Sequence, residues 1–322
     1  MRQRRSGSPG PARLAAAVCL AALCAAPTPT AAAGSPGDAP PKPTVFRGPY
    51  FGETPPGDVP VVFAPKFLSA RFAFVARLAF SPDGRECFLT AADPKFSRPK
   101  IFVTERRDDT WTEPVVAPFT TGHFRSNEPF FPRDGNRLYF SSDPDGKSAT
   151  NRRDIWMVER TPRGWNHLQR LPPPLNSEHT ELYFSQAADG TIYFISDRPG
   201  GLGGFDLYRA RPNPDQSLRV ENLGGSLNSA ANEWDPCIAP DQSFLVFASE
   251  RPGGRGGSDL YVSFADGHGG WTAPVNLGEG FSSPADEYAP SLSPDGRYLF
   301  FTRYDGKRGE ALWVSADFLK RH

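Results

Sequence analysis

Leu292-Ser-Pro-Asp-Gly-Arg-Tyr-Leu-Phe-Phe-Thr302 is one of five versions of a single phrase in this chain. The others are Phe80-Ser-Pro-Asp-Gly-Arg-Glu-Cys-Phe-Leu-Thr90, Phe131-Pro-Arg-Asp-Gly-Asn-Arg-Leu-Tyr-Phe-Ser141, Gln186-Ala-Ala-Asp-Gly-Thr-Ile-Tyr-Phe-Ile-Ser196 and Ile238-Ala-Pro-Asp-Gln-Ser-Phe-Leu-Val-Phe-Ala248. Their turn aspartates, Asp83, Asp134, Asp189, Asp241 and Asp295, are 51, 55, 52 and 54 residues apart. A period near 50 with a hairpin turn in each copy predicts an all-β fold, a β-propeller of four-stranded antiparallel blades. The repeat speaks to architecture and much less to activity, because a fold is not a function.

Working outward from the turn, each repeat yields four strands, a to d. Gly after Asp takes the positive φ that a tight a–b hairpin needs. Gln242 replaces that Gly in repeat 4 and Arg133 replaces Pro in repeat 2, so a different turn type is expected there. The b strands, such as Ile192–Ser196 and Phe244–Ser249, are continuously apolar, as a strand covered on both faces should be. Strand c is Ile155–Val158, Leu207–Ala210, Leu260–Ser263 and Leu312–Ser315. Strand d opens on Trp in Trp111-Thr-Glu-Pro-Val115 and Trp271-Thr-Ala-Pro-Val275, and its Pro suits an edge position. Repeat 5 has no strand d before the chain ends. Pro60-Val-Val-Phe-Ala-Pro65 resembles Pro114-Val-Val-Ala-Pro118, so residues 59–66 are expected to close the last blade from the other terminus.

Residues 1–33 do not belong to this pattern. Arg2, Arg4, Arg5 and Arg13, the apolar run from Leu14 to Ala26 and the closing Ala31-Ala32-Ala33 read as a secretory signal. No other segment has the length to span a bilayer. Neither Cys19 nor Cys24 follows the small residue that a lipobox needs, so no lipid anchor is expected. Residues 34–58 read as a Pro/Gly-rich linker, 59–316 as the propeller and 317–322 as a tail. Without the first 33 residues, 32 Lys and Arg face 36 Asp and Glu. That mild acidity argues against nucleic acid or anionic lipid as a partner. Cys87 and Cys237 fall in strands of different blades and are expected as two buried thiols. The expected product is an exported, monomeric protein of the periplasm or exterior.

Ser-Pro-Asp-Gly followed by a Tyr/Phe-rich strand resembles the PD40, WD40-like or TolB-like, propeller repeat of bacterial envelope proteins. Gly48–Gly57 and the loops Arg198–Gly204 and Arg251–Gly257 look like a secreted branch of that family, and the resemblance covers roughly residues 48–316. It implies a propeller fold, with scaffold proteins, sensor domains and a few enzymes among its members. TolB-like domains usually have six blades against the five repeats here, which keeps six blades as the alternative.

One face of such a propeller carries the d–a and b–c loops. The b–c loops Ser196–Asp206 and Ser249–Asp259 each begin Ser-x-Arg-Pro-Gly-Gly, with Arg198 and Arg251, and end in Asp before strand c. Asp154 holds the same place in repeat 2. The expected role of these aspartates is anchoring the loop. Glu181, Glu233 and Glu287 lie eight residues before their turn Asp, and Arg77, Glu128, Tyr183 and Asp235 lie six before it. Equal parity predicts that both positions face one side of strand a. Glu128, Glu181, Glu233, Glu287, Asp235, Arg77, Arg198 and Arg251 are therefore the candidate binding residues, for a cation, a sugar or a basic peptide end. A residue repeated in three or four blades also reads as one that builds each blade, by satisfying buried backbone.

Catalytic and cofactor signatures are missing. There is no Gly-x-Ser-x-Gly elbow, no zinc spacing among Cys and His, and no helix start or Lys-Ser/Thr to make the Gly-rich loops a phosphate cradle. No metal or cofactor is expected. The reading is a non-catalytic binding or scaffold module for a protein, peptide or glycan. The alternative is an exported carbohydrate-active enzyme using two channel-mouth carboxylates such as Glu181 and Glu233, since glycoside hydrolysis needs two carboxyls about 5–10 Å apart.

Overall fold

Each turn of the repeated phrase is closed by its own aspartate. In the computed structural model, which describes residues 44–92, 99–123, 125–143 and 152–320, Oδ1 of Asp83, Asp134, Asp189, Asp241 and Asp295 accepts the N–H two residues on, at 2.9–3.1 Å. The left-handed residue that follows has φ of 65°, 65°, 88° and 67° at Gly84, Gly135, Gly190 and Gly296. Gln242 takes the same conformation, with φ 60°. The different turn expected in repeat 4 is thus absent. The Gln242 side chain donates to Asp189 and accepts from the Tyr193 hydroxyl, each at 2.8 Å, which holds the strained residue in place. Repeat 2 also keeps the common turn despite Arg133.

The described residues are all-β, with 21 strands numbered here in order. β1 is Val61–Val62. The first repeat forms β2 (Phe74–Phe80), β3 (Glu86–Ala92), β4 (Lys100–Arg107), β5 (Thr110–Trp111) and β6 (Val115–Val116). The second forms β7 (Ser126–Phe130), β8 (Arg137–Ser142), β9 (Asp154–Thr161) and β10 (Gly164–Arg170). The third forms β11 (Glu181–Gln186), β12 (Ile192–Ser196), β13 (Asp206–Pro212) and β14 (Leu218–Asn222). The fourth forms β15 (Glu233–Ile238), β16 (Phe244–Ser249), β17 (Asp259–Phe264) and β18 (Val275–Asn276). The fifth forms β19 (Asp286–Leu292), β20 (Tyr298–Tyr304) and β21 (Gly309–Ser315).

Repeats 2, 3 and 4 are separate four-stranded antiparallel sheets. β1 pairs antiparallel with β21, Val61 opposite Trp313 and Val62 opposite Leu312. β6 pairs with β4 in the same manner, Val115 opposite Val103 and Val116 opposite Phe102. A single parallel bridge from Phe74 to Gly309 joins the first and fifth sheets. The b strands are enclosed as expected, β16 along its whole length.

Aromatic and aliphatic side chains fill the space between consecutive sheets. Phe88 and Phe140 meet between the first and second, and Tyr139 and Phe184 between the second and third. Ile195 and Phe247 meet between the third and fourth, and Val246 and Phe301 between the fourth and fifth. The fifth such cluster joins Phe80 of the first sheet to Phe300 and Trp313 of the last. It also includes Phe46, Phe51, Phe63 and Phe67 from the segment before β2. The first strands touch in the order β2, β7, β11, β15, β19 and back to β2.

Two expected boundaries move. Residues 44–58, assigned to a linker on composition, are folded onto the sheets from Thr44 onward. Phe46 and Phe51 are buried and Tyr50 packs on Tyr298, because three aromatic anchors outweigh the surrounding Pro and Gly. At the other end, Asp317–Lys320 forms a 3-10 turn whose Leu319 is buried, so the tail is docked there. Residues 1–43, with the expected signal, lie outside the described residues. Among the described residues no helix is long and apolar enough to cross a membrane, and Cys87 and Cys237 are free and buried.

Candidate binding site

Every first strand is broken at the same place. Ala76 and Leu78, Asn127 and Phe130, Leu182 and Ser185, Trp234 and Cys237, and Tyr288 and Ser291 each flank a register shift against the neighbouring b strand. One extra residue is accommodated each time, a β-bulge. The bulged residues are Arg77, Glu128, Tyr183, Asp235 and Ala289, with φ of 40°, 59°, 61°, 52° and 54°. All five stand six positions before their turn aspartate. Non-glycine residues held at such φ cost energy and persist only where surroundings enforce them. The parity argument from the sequence therefore fails, because it assumed an unbroken strand. Positions eight and six have different surroundings.

The position-six residues meet near the converging first strands. Arg77, Glu128 and Asp235 are buried. The Arg77 guanidinium donates to the Phe184 carbonyl at 3.3 Å, reaching from the first repeat to the third. The Glu128 N–H donates to Thr90 Oγ1 at 2.8 Å. The Ala289 N–H donates to the Asp235 carboxylate. Burial and the nearby Asp235 charge push Glu128 up to about 8, against the opposing pull of Arg77 and Arg153. Burial also raises Asp235 to about 6, opposed mainly by Arg77. Tyr183 and Tyr288 are driven well above the usual phenol range, by burial first and then by the two carboxylates. Two acids and two arginines thus share one enclosed place. Arg77 Nη1, Glu128 Oε2, Arg153 Nε and Asp235 Oδ1 are buried there with no hydrogen-bond partner among the described residues.

The position-eight glutamates belong to a different device. Glu181 is completely buried. Its carboxylate accepts from the Ser177 N–H (2.8 Å) and hydroxyl (2.6 Å), from the Ser196 hydroxyl (2.9 Å) and from Arg198 (2.9 Å). Arg198 in turn donates to the Leu175 carbonyl and covers the Phe194 and Tyr208 rings. Glu233 repeats this with Ser229, Ser249 and Arg251. Glu287 repeats it with Ser283 and Arg303. Each clamp fastens a d–a loop to the b strand of its own sheet. The Gly-rich loops are pressed down beside them: a Cβ on Gly203 would lie 1.9 Å from the Ala231 carbonyl oxygen, and one on Gly256 1.8 Å from that of Ala285. Asp206 and Asp259 accept loop N–H groups there.

Of the eight candidate residues, the fold thus gathers Arg77, Glu128 and Asp235 into one cluster. It distributes Glu181, Glu233, Glu287, Arg198 and Arg251 among three loop clamps. Arg153 and Tyr288 of the cluster and Arg303 of the third clamp were not singled out from sequence. Arg153 had a signal, since Phe205 and Ser258 hold its place in repeats 3 and 4. Arg303 had little, because it stands directly after Thr302 and no Arg-Pro-Gly-Gly loop follows. His123 and His179, in the d–a loops before β7 and β11, are part-buried against Ser142 and beside Asp197 respectively. Among the described residues no three His, Cys, Asp or Glu side chains group as a metal would require.

Arg198 also borders a recess of about 600 Å³ with Arg152, Arg170, Pro173, Pro174, Asn176, Ser177 and Glu178. It opens where the d–a loop after β10 meets the b–c loop after β12, the loop set singled out from the sequence.

No family model matches the chain, and no curated protein does. Solved structures resemble it in fold. A protein described as TolB from Agrobacterium tumefaciens superposes with a TM-score of 0.50 and 16% identity, over 76% of this chain and 78% of that one. The endo-arabinase from Bacteroides thetaiotaomicron VPI-5482 superposes with a TM-score of 0.53 and 15% identity, over 82% of this chain and 97% of that one. At these identities the likeness is one of fold alone, a β-propeller shared by proteins of different activity.

Proposed function

We propose that the chain is an exported, five-bladed β-propeller of the PD40, TolB-like kind that acts as a non-catalytic binding or scaffold module. Its ligand is a protein, peptide or glycan held on the face of the d–a and b–c loops. The five-bladed ring is supported by the cyclic contacts of the first strands and by β1 taking on β21 the place that β6 takes on β4. Export is supported by the signal-like residues 1–33.

The observation that carries the non-catalytic reading is the saturation of the three repeated glutamates. An acid–base pair needs carboxylates free to exchange protons with a substrate. Glu181, Glu233 and Glu287 are wholly buried and tied to Ser and Arg of their own blades. A thermal-shift screen of residues 34–322 against envelope glycans, plant glycans and divalent cations, with pull-down from an envelope fraction, tests it. A ligand of the folded state raises the midpoint with concentration. Turnover of a bound glycan overturns the non-catalytic reading.

One observation favours the second reading, an exported carbohydrate-active enzyme. Glu128 and Asp235 are two carboxyls raised to different degrees in one cluster, the separation of acid and base that such chemistry uses. Their burial argues against substrate access. Glycan hydrolysis lost in Glu128→Gln and Asp235→Asn would establish it.

A further inference from the structure

The second repeat departs from its sisters at two positions, and both departures lead to the same recess. In repeat 3, Asn222 at the end of the d strand donates to Asp206 at 2.9 Å. Asn276 stands at the matching register in repeat 4, paired with Tyr261 two residues after Asp259. In repeat 2 the residue at this register is Arg170, paired with Trp156 two residues after Asp154. Two residues before the strand-c aspartate, repeats 3 and 4 have Gly204 and Gly257, and repeat 2 has Arg152. Asp154 is therefore held by arginine: Arg170 Nε at 2.5 Å and Arg152 Nη2 at 3.5 Å. Two loop amides hold Asp259, and two loop amides with Asn222 hold Asp206, so anchoring the equivalent aspartates does not call for two guanidinium groups.

What the arginines add is a cationic floor. Asp154 is completely buried behind them, whereas the Arg152 and Arg170 side chains keep 34% and 32% of their surface exposed. Among the described residues Arg170 uses only Nε within the protein, which leaves both terminal nitrogens to offer paired donors. Arg198 completes the floor from the third repeat, anchored by Glu181 and by the Pro174 and Leu175 carbonyls. Fixed guanidinium groups over a recess are suited to a planar oxyanion. Glu178 stands exposed at the rim. Its charge penalises a compact dianion and its oxygens accept from neutral hydroxyl groups. Cationic floor and accepting rim together fit a ligand that carries one carboxylate beside several hydroxyls.

We propose that this recess is the subsite of the binding face that takes the carboxylate of an acidic sugar, a uronic acid unit of a glycan. The assignment rests on the binding-module reading above and narrows it to one ligand chemistry. The carboxylate lies on Arg152 and Arg170, and ring hydroxyls face Glu178. The neighbouring Pro173 and Pro174 give the sugar a rigid, uncharged wall.

Titration calorimetry of residues 34–322 with tri-galacturonate, the matching neutral galactose trimer, inorganic phosphate and an acidic tetrapeptide tests the proposal. Tri-galacturonate is expected to bind and the neutral trimer not to, with affinity falling as salt rises. Arg152→Gln, which leaves Arg170 on Asp154, is expected to weaken binding about tenfold, the loss of one charge-assisted bond. Glu178→Gln removes an exposed group and should leave folding intact. It is expected to strengthen phosphate binding and so narrow the preference for the uronate. Equal or tighter binding of phosphate or peptide to the wild type overturns the sugar assignment, as does binding of neutral and acidic trimers alike. No heat with any of the four overturns the subsite. A partner captured from the envelope fraction would still uphold the module, whereas cleavage of bound tri-galacturonate would keep the subsite and end the non-catalytic reading.

Discussion

At Glu128 and Asp235 the fold carries an electrostatic cost. Both are buried carboxyls, and the charged groups that face them are Arg77 and Arg153, with Tyr183 and Tyr288 alongside. Glu128 is raised from 4.5 to about 8 by burial and then by Asp235, and Asp235 from 3.8 to about 6 by burial. A group that holds its proton more tightly when folded stabilises the fold fully below its unfolded pKa. That contribution is lost as pH rises through the folded value. Stability is therefore expected to fall between about pH 4 and pH 8 on account of this pair. Glu128→Gln keeps the shape and removes the titration. Its thermal midpoint should match the wild type near pH 5 and exceed it at pH 9. A lower midpoint at pH 9 would mean that Glu128 works as the ionised partner of Arg77, contrary to the sign argued here. The bulge beneath it makes a separate prediction. Ala289 carries no polar side chain at φ 54°, so Ala289→Gly relieves strain without removing a side-chain hydrogen bond. It should stabilise by about 1 kcal/mol, read from chemical denaturation.

At the scale of the element, the loop clamp is the unit that repeats. Glu181→Gln leaves the Arg198 guanidinium without its buried counter-charge, and breaking such a pair costs about 3 kcal/mol or more. Glu233→Gln should cost a similar amount, and the two should add, because the clamps share no partner. The contrast is Glu113, whose pair with Arg71 leaves the Glu113 side chain 74% exposed. Glu113→Gln should cost less than about 1 kcal/mol. Denaturant midpoints of the three variants check the ranking. The clamps were half legible in the sequence. A glutamate at constant distance from the turn shows in three repeats, and Arg198 and Arg251 share a loop pattern that announces a common partner. The bulges were not legible. Arg, Glu, Tyr, Asp and Ala occupy that position, so what repeats is a backbone conformation that no side-chain type marks. Without the bulge, strand parity merged two separate groups of acids into one imagined ring. The turns, by contrast, were legible because Asp-Gly encodes its own hydrogen bond and φ; Gln242 departed from that code only by borrowing support from Asp189 and Tyr193.

For the whole molecule the decisive contact joins the two ends of the described chain. β1 is only Val61–Val62, yet it lies on β21, some 250 residues later, and continues in the Phe63 N–H bond to the Ala311 carbonyl at 2.8 Å. Phe63 is fully enclosed, with Phe300 at 5.0 Å and Trp313 at 4.9 Å between ring centres. Phe51 stacks on Phe67 and meets Trp111, so the same segment fastens the first sheet to the last. In an open array the first and last sheets would each leave a face and an edge uncovered, a cost that the β1–β21 pairing and the shared aromatic cluster reduce. Composition alone hid this, because Pro and Gly around Phe46, Tyr50 and Phe51 read as linker. A chain beginning at residue 44 should melt in one transition like the 34–322 protein, whereas a chain beginning at residue 67 should lose both β1 and Phe63 and unfold over a broad range. Phe63→Ala grades the effect: it keeps β1 but empties the centre of the aromatic cluster, at about 3–5 kcal/mol. Calorimetry of the three proteins decides the matter. A sharp, unshifted transition in the chain that starts at residue 67 would mean that the ring closes through Phe74 and Gly309 alone, and that the N-terminal segment merely decorates it.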